Sequence, residues 1–468
     1  MIHAPTSHPC GMLLGWRTPR QQRQLGFHPP LSVPRRSSPA DDGPPDGPSP
    51  AGREDPVLYE GDSHLMTFAP TGSGKGRGMV IPTLLTYEGS CVVIDPKGEN
   101  YAVTARRRRE MGQQVVVLDP FGRATRGRRE SDGFNPLDIF NLPGTIVDAD
   151  SLMIAWQVAA GNAFARDPFW DNSGTGLLFG LIAHVVTGHP PEERTLNKVL
   201  EYLYTDDVVY NLAVLLDSKK VVCPQAYKEI AAFLGLPERD TRPSVLATVL
   251  SWVKALNTER VERSLARSTF DLGDLLEGKP ITVYLCLPPE KLVSHKALLR
   301  LWVASLMTTI LRREERPEKQ TLFILDECAQ LGNMPLLEQA VTLLRGYGLQ
   351  VWTLWQDFEQ VKANYPNGYM TLVNNSAVLQ AFGVGSMLMA KQLAEVLDCP
   401  AHDLLAMQPH ESVICTPGQS ALRCRRPDYL TDGVFTGQWD SNPFFGRATR
   451  ERPDRSATGP MPEGFQER

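Results

Sequence analysis

A glycine-rich loop near residue 70 constrains the fold of this chain more than any other segment. The loop contains Ala69, Pro70, Thr71, Gly72, Ser73, Gly74, Lys75 and Gly76. It follows an apolar run at residues 65–68. Small residues let several backbone N–H groups approach one anion at the start of a helix. The pattern therefore predicts a strand, a phosphate-binding loop and a helix in succession, with Lys75 contacting the β- and γ-phosphates of a nucleotide.

Two positions depart from the usual pattern G-x-x-x-x-G-K-[ST] of such loops. Ala69 stands where the first glycine is expected, and Gly76 stands where Ser or Thr normally ligates Mg²⁺. The metal would then depend on Asp326, on water molecules or on a nearby hydroxyl such as that of Ser73. Taken alone, this segment is also compatible with an ordinary glycine-rich turn.

A second motif supports the nucleotide site. Four apolar residues at 322–325 are followed by Asp326 and Glu327. This pattern indicates a buried strand whose end presents one carboxylate to the Mg²⁺ shell and another that polarises the attacking water. An acidic pair at a strand end can also be a simple cap. The two motifs nevertheless occur in the order that a P-loop ATPase requires.

Two further residues are candidates for a role in hydrolysis. Arg345 lies in a helix-ending segment, where an arginine can reach the γ-phosphate bound by a neighbouring subunit. The alternative is a solvated helix arginine. Gln356 follows an apolar run at 349–355 and should emerge at a strand end, where its amide could sense the loss of the γ-phosphate.

The apolar pattern along the chain predicts an α/β fold. Short apolar runs that end in Asp95 and Asp119 alternate with helical segments, as in a parallel sheet covered on both faces. Helical patterns then dominate before strand patterns resume. The predicted units are a disordered Pro-rich arm at 1–57, a nucleotide-binding domain in two parts at 58–144 and 272–444, an all-α insertion at 145–271, and a disordered tail at 445–468.

Composition excludes several classes of protein. The formal charge is only −5, so the overall charge points to no particular partner. Eight scattered cysteines lack the close spacing of a zinc or redox motif and fit a reducing cytoplasm. No apolar stretch is long enough for a membrane span, and the N-terminus lacks the pattern of a signal peptide.

A local basic patch is the candidate DNA contact. It consists of the consecutive residues Arg106, Arg107, Arg108 and Arg109, followed by Arg123, Arg126, Arg128 and Arg129. Such clusters bind phosphates without sequence preference. The alternative is a solvated helix end followed by a basic loop. Trp352 and Trp355 are expected to pack in the core rather than to stack on bases.

The ordered motifs resemble those of the TraG/TraD-type coupling ATPases of type IV secretion and bacterial conjugation. The resemblance runs from about residue 58 to residue 445. It is carried by residues 69–76, 79–85, Val-Ile-Asp-Pro-Lys-Gly-Glu at 93–99, Phe-Asn-Pro-Leu-Asp at 134–138, Asp-Pro-Phe-Trp at 167–170, Leu-Asp-Glu at 325–327, Leu-Gly-Asn-Met-Pro at 331–335, and the segments around Arg345 and Gln356. Such a long ordered series is a far stronger signal than any one motif.

The resemblance implies a RecA-like P-loop NTPase sheet with an inserted all-α domain, working as a hexameric ring. It implies ATP and Mg²⁺ as cofactors. Lys75 would bind phosphate, Asp326 would serve the metal, Glu327 would activate water, Arg345 would act in trans, and Gln356 would sense nucleotide. The implied partners are DNA with a relaxase, or effector proteins, together with type IV secretion channel components at the inner membrane.

One departure from the resemblance concerns the membrane. Many members of that family begin with transmembrane helices, whereas a Pro-rich arm opens this chain. The chain would then be a soluble variant, a truncated product, or a subunit that reaches the cytoplasmic face of the bacterial inner membrane through a partner. Three functions stay open: a DNA-translocating ATPase, a nucleotide-binding cargo receptor with little hydrolysis, and an ATPase that exports only proteins.

Overall fold

A single mixed sheet organises the described part of the chain. The computed structural model describes residues 11–17, 54–127, 129–159 and 168–444. The sheet has eleven strands in the order β2-β1-β11-β10-β9-β3-β8-β7-β4-β6-β5. The strands are β1 Met12–Arg17, β2 Asp55–Tyr59, β3 His64–Phe68, β4 Cys91–Ile94, β5 Gln114–Leu118, β6 Ile281–Leu285, β7 Thr321–Leu325, β8 Leu349–Trp355, β9 Ser376–Ala381, β10 Glu411–Cys415 and β11 Leu422–Arg425.

The sheet has a parallel part and an antiparallel part. The run from β9 to β5 pairs in parallel, and its inner strands β3, β4, β6, β7 and β8 are buried along their whole length. Such continuous apolar strands are expected where helices cover both faces. The strands β10, β11, β1 and β2 extend one edge in antiparallel pairs. The phosphate-loop strand β3 lies well inside the sheet.

Helices cover the sheet and fill the long connection between β5 and β6. They are α1 Ile81–Thr86, α2 Glu99–Glu110, α3 Val147–Ala159, α4 Pro168–Gly188, α5 Leu196–Leu203, α6 Val208–Asp217, α7 Pro224–Leu234, α8 Thr241–Val253, α9 Glu259–Leu265, α10 Leu272–Leu276, α11 Pro289–Leu292, α12 Lys296–Leu311, α13 Pro335–Leu343, α14 Phe358–Asn364, α15 Tyr369–Asn374, α16 Met387–Leu397 and α17 Ala401–Leu405.

The connection between β5 and β6 is built around α4. Its residues 177–186 are buried, including the apolar stretch expected to be a helix. α4 packs against α3, α7 and α8, and α3 also packs against α12. Between β5 and β6 the described residues contain helices and no strand. The division of the chain at residues 144, 271 and 444 stays a prediction.

The N-terminal segment corrects one expectation. Residues 1–57 were expected to be disordered, yet Met12–Arg17 forms β1, and β2 begins at Asp55. β1 pairs with β2 and with β11. Three apolar residues, Met12, Leu13 and Leu14, are each 2% exposed, so this short segment is stabilised by burial against distant strands. The other residues of the expected arm, 1–10 and 18–53, and the expected tail at 445–468 lie outside the described residues.

None of the described helices combines the length and the apolar character needed to cross a lipid bilayer.

Candidate nucleotide site

The phosphate loop connects β3 to a helix, as the sequence predicts. The N–H of Ala69 donates to the carbonyl of Trp355 at 2.8 Å, which fixes the start of the loop against β8. Gly72 and Gly74 have φ of +81° and +89°, a conformation that favours glycine. A helical segment starts at Gly76, directly after Lys75, and continues into α1. Backbone N–H groups at such a helix start form an anion site.

Three side chains from different strands meet beside the loop. Lys75 Nζ donates to Glu327 Oε1 at 3.4 Å, and Gln356 Nε2 donates to Glu327 Oε2 at 2.9 Å. Lys75 follows β3, Glu327 follows β7 and Gln356 follows β8. Because these strands are parallel, their carboxyl ends lie on the same side of the sheet, close to one another. The structure therefore brings together three of the four expected catalytic residues. Lys75 is nearly buried, so its charge is little screened by water.

The backbone at Glu327 is strained. Its φ is +61°, in the left-handed region that non-glycine residues seldom adopt. Residues held in this way cluster at functional sites when the surrounding structure supports them. The hydrogen bonds of both carboxylate oxygens, to Lys75 and to Gln356, provide part of that support.

Asp326 has the character expected of a metal ligand. It follows β7, and its Oδ1 is buried without a hydrogen-bond partner among the described residues. Burial raises the pKa of this carboxyl, and the charge of Lys75 acts in the opposite direction. A buried, unpaired carboxylate oxygen is costly unless it meets a cation or a proton, and Mg²⁺ prefers oxygen ligands. The residues present therefore fit a Mg²⁺ ion at this position.

A second acidic residue, Asp95, lies next to Asp326 and was not among the expected site residues. β4 and β7 pair with Val93 opposite Ile324, so Asp95 and Asp326 lie side by side just beyond the strand ends. Asp95 is 1% exposed and accepts the N–H of Tyr101 at 2.9 Å. Burial is the main cause that raises the pKa of Asp95. The run of apolar residues that ends in Asp95 was the available signal.

The hydroxyl of Ser73, expected as a substitute for the one missing after Lys75, takes part in the turn of the loop, and its contact with the metal stays a prediction. Ser73 Oγ donates to the carbonyl of Pro70 at 2.6 Å, so it stabilises the turn of the loop. A Cβ added at Gly383 would lie 2.6 Å from Ser73 Cβ, which shows how tightly that side chain is packed. A Cβ at Gly76 would instead meet open space within 4 Å. The structure thus leaves room for a hydroxyl at residue 76.

Arg345 lies near the start of β3, whereas the phosphate loop of the same chain follows the end of that strand. Arg345 Nη1 donates to Ser63 Oγ at 2.8 Å, and Nε lies 3.5 Å from Asp62 Oδ1. Ser63 precedes β3, whereas the loop follows it, so the length of the strand separates the two. The Arg345 side chain is 57% exposed. Its action on a neighbouring subunit stays a prediction.

The arginine run on α2 corrects a second expectation. Arg108 is fully buried and donates to the carbonyls of Leu84, Tyr87 and Gly89 and to Thr282 Oγ1. Its expected contact with DNA is therefore wrong, because a guanidinium held inside the protein cannot reach a phosphate.

The other arginines of the run differ in how far their side chains are engaged by contacts within the protein. Arg106 pairs with Glu110 and Asp440, and Arg107 donates to the carbonyl of Leu85. Arg109 is exposed. Arg128 of the following basic loop lies outside the described residues. DNA contact by Arg106, Arg107 and Arg109 stays a prediction. The expectation for Trp352 and Trp355 is confirmed, since they are 0% and 1% exposed.

Comparison with known proteins identifies the family. The family described as "Type IV secretory system Conjugative DNA transfer" matches residues 40–397, more than half of the chain. The chain belongs to this family. A conjugal transfer protein TraG of Rhizobium radiobacter is 26% identical over 422 residues, which cover 82% of this chain and 64% of that protein. A VirD4 protein of Agrobacterium fabrum is 28% identical over 326 residues, which cover 67% of this chain and 46% of that protein. The chain thus spans less than two thirds of these relatives.

Solved structures of conjugative coupling proteins agree with the fold. The bacterial conjugative coupling protein TrwBΔN70 matches with a TM-score of 0.62 at 15% identity, covering 80% of this chain and 86% of that one. TrwB in complex with ADP and Mg²⁺ matches with a TM-score of 0.60 at 14% identity, covering 78% and 86%. At these identities the likeness shows the fold alone. The expected α/β class and the TraG/TraD-type family are confirmed.

Proposed function

We propose that this chain is an ATP-driven coupling protein, a DNA-translocating ATPase that passes its substrate to a type IV secretion channel. One observation carries the ATPase part of the proposal: Lys75, Glu327 and Gln356 form a connected group beside the phosphate loop, and Asp326 next to Glu327 has a buried Oδ1 without a hydrogen-bond partner. Each of these groups has a chemical role in cleaving a phosphoanhydride bond. Solved structures of TrwB with ADP and Mg²⁺ and with an ATP analogue support the choice of nucleotide and metal.

The contacts of Glu327 suggest an order of events. When the phosphates of ATP enter the loop, Lys75 exchanges Glu327 for the β- and γ-phosphates. Gln356 can then turn towards the γ-phosphate, because its partner carboxylate has moved into line with the attacking water. Glu327, freed of both donors, accepts the proton of that water. Asp326 would hold Mg²⁺, which supplies neutralisation of the charge that develops on the phosphate oxygens.

The proposed partners follow from the family. DNA with a relaxase, or effector proteins, would be the substrate, and channel components at the cytoplasmic face of the inner membrane would receive it. A homo-oligomer, a hexamer by resemblance, would let Arg345 reach the nucleotide of a neighbour. The exposure of Arg345 and its distance from its own loop support this arrangement.

A second candidate function is a nucleotide-binding cargo receptor with little hydrolysis. Gly76 favours it, because the loop lacks the hydroxyl that normally completes the Mg²⁺ shell. Such a receptor would bind nucleotide in order to hold one conformation. A third candidate, an ATPase that exports only proteins, differs from the first in substrate alone.

The decisive experiment measures ATP hydrolysis against the concentration of single-stranded DNA, duplex DNA and candidate effector proteins. We expect DNA to stimulate the wild type, and we expect Lys75→Ala to lose both binding and hydrolysis. Lys228→Ala, at an exposed position on α7, serves as the matched control. A wild type that hydrolyses ATP no faster than Lys75→Ala at any DNA concentration would exclude the proposal. Nucleotide binding without turnover would favour the receptor. Stimulation by effector proteins but not by DNA would favour the ATPase that exports only proteins.

A further inference from the structure

The chain segment after β11 lies against the phosphate loop. Arg426 Nη1 donates to the carbonyl oxygen of Ser73 at 2.8 Å. Two residues further on, Asp428 forms a bidentate ion pair with Arg77. Ser73 and Arg77 stand on either side of Lys75 in the sequence. The segment therefore holds the loop at both ends of the stretch that contains the phosphate-binding lysine.

The side chain of Arg426 is itself firmly placed. Its guanidinium lies 4.2 Å from the centre of the Phe382 ring and also donates to the carbonyl of Pro409. The contact with the ring is a cation–π interaction, which is strengthened where water is excluded. A Cβ added at Gly74 or Gly78 would lie 3.5 or 3.4 Å from Nη1, so the guanidinium lies close to the loop backbone.

Further contacts anchor this segment to the opposite side. Arg425 pairs with Glu54 and with Asp432, and Trp16 Nε1 donates to Asp432 Oδ2 at 2.8 Å. Glu54 immediately precedes β2, Asp432 belongs to the segment itself, and Trp16 lies on β1. The antiparallel edge of the sheet thus helps to hold Arg426 in place beside the loop.

The planarity of the peptide bond turns this contact into an effect on nucleotide binding. The carbonyl of Ser73 and the N–H of Gly74 belong to one trans peptide unit, in which they point in opposite directions. A hydrogen bond that holds the carbonyl on one side therefore turns the N–H of Gly74 to the other. Gly72 and Gly74 allow this part of the loop more orientations than other residues would, so an external contact can favour one of them.

We infer that Arg426 is a positioning residue for the nucleotide, which orients the phosphate-loop amides through its hydrogen bond to Ser73. The inference rests on the proposed ATPase function and deepens it. Both acceptors of the guanidinium are uncharged carbonyls, so the arginine also places a positive charge beside the phosphate loop. Burial lowers the pKa of Arg426 from its ordinary value, and the charge of Asp428 acts in the opposite direction.

The test compares the Kd for a fluorescent ADP analogue among variants of the full chain. We expect Arg426→Ala to raise the Kd by about tenfold or more, the effect of losing one charge-assisted hydrogen bond. Arg426→Lys, which can still donate to Ser73, should recover part of the affinity. Arg263→Ala is the matched control, because Arg263 lies exposed on α9 and contacts Glu259. Its Kd should stay within about twofold of wild type.

Hydrolysis kinetics and thermal unfolding separate positioning from a loss of folded protein. A positioning role predicts a raised KM for ATP with kcat largely restored at saturation, whereas partial unfolding lowers kcat and leaves KM unchanged. If Arg426→Ala does not fold, Arg426→Lys carries the test and must itself show a raised Kd. Wild-type affinity in the Arg426 variants, with binding lost in Lys75→Ala, would overturn the inference and leave the proposed function intact. A wild type that binds no nucleotide would overturn both.

Discussion

At the scale of single residues, the contacts of Glu327 govern what the site can do before nucleotide arrives. This carboxylate accepts hydrogen bonds from Lys75 and Gln356 and so competes with phosphate for the lysine. Glu327→Gln removes the charge that holds Lys75 and, under the proposed function, also the general base. We therefore expect kcat to fall by roughly 10² to 10⁴ while nucleotide binds as tightly as in wild type, or more tightly. Single-turnover hydrolysis and the Kd for ATP together measure both effects.

The control for this prediction is Glu395→Gln, at an exposed position on α16. It should leave kcat and Kd at wild-type values. Wild-type turnover that persists in Glu327→Gln would contradict the assigned role, whereas a low turnover that is the same in both proteins would favour the receptor.

Gly76 allows a direct test of how the metal is held. A Cβ at this position meets no atom within 4 Å, so Gly76→Thr should fold and should present a hydroxyl beside Asp326. We expect the concentration of Mg²⁺ at half-maximal activity to fall severalfold, because the hydroxyl is the usual ligand at this point of the loop. Gly76→Ala, which adds a Cβ without oxygen, should not show this gain. An equal change in both variants would mean that helix propensity and not the ligand is responsible.

At the scale of secondary structure, α2 shows that consecutive arginines on a helix can differ in burial, because the helix turns each residue to a different face. Arg108 is buried against carbonyls of the α1–β4 connection, whereas Arg109 faces solvent. Arg108→Ala should lower the free energy of unfolding by roughly 3 kcal/mol or more, because several carbonyls lose their donor. Arg109→Ala should change it by less than about 0.5 kcal/mol. Urea unfolding measures both, and a stable Arg108→Ala variant would contradict the structural role.

β3 begins with a buried histidine, and this gives stability a pH dependence. His64 Nδ1 accepts the N–H of Val351 at 3.0 Å, and burial, aided by the charge of Arg345, lowers the pKa of His64 to about 4. The unfolded chain has the ordinary value near 6.5. The stabilisation is therefore fully present above pH 6.5 and is lost as the pH falls towards 4.

For His64 alone this loss amounts to at most about 3 kcal/mol. His184 behaves in the same direction, since burial lowers its pKa to about 4 as well. His64→Asn keeps an acceptor for Val351 and should flatten the dependence of unfolding free energy on pH by about half. An unchanged slope in urea melts between pH 4 and 7 would contradict this account.

Sequence patterns located the elements that carry local signals and missed those that depend on distant partners. The loop after β3, the acidic pair after β7 and Gln356 after β8 were found because apolar runs that end in polar residues are typical of parallel strands. β1 was missed, because three apolar residues in a Pro-rich segment form a strand only when β2 and β11 are available. Asp95 was overlooked as a site residue, because its closeness to Asp326 depends on the strand order.

At the scale of the whole molecule, the site is a product of topology. Arg426 and Ser73 are 353 residues apart in the sequence, so no local pattern could predict their contact. The antiparallel edge, formed by β2, β1, β11 and β10, brings the first and last described strands together beside the phosphate loop. That edge therefore helps to stabilise the candidate nucleotide site, because it holds the segment that contacts the loop.

The arrangement of subunits can be tested by mixing two inactive variants. Lys75→Ala retains Arg345, and Arg345→Ala retains an intact phosphate loop. If Arg345 acts on a neighbour, a mixed oligomer contains intact loops that face intact arginines, so the mixture should hydrolyse ATP well above the mean of the two separate variants. If Arg345 acts within its own chain or only pairs with Asp62 and Ser63, mixing restores nothing. Mixing Lys75→Ala with Glu327→Gln is the control, because both changes lie in the same site and cannot complement each other across a subunit boundary.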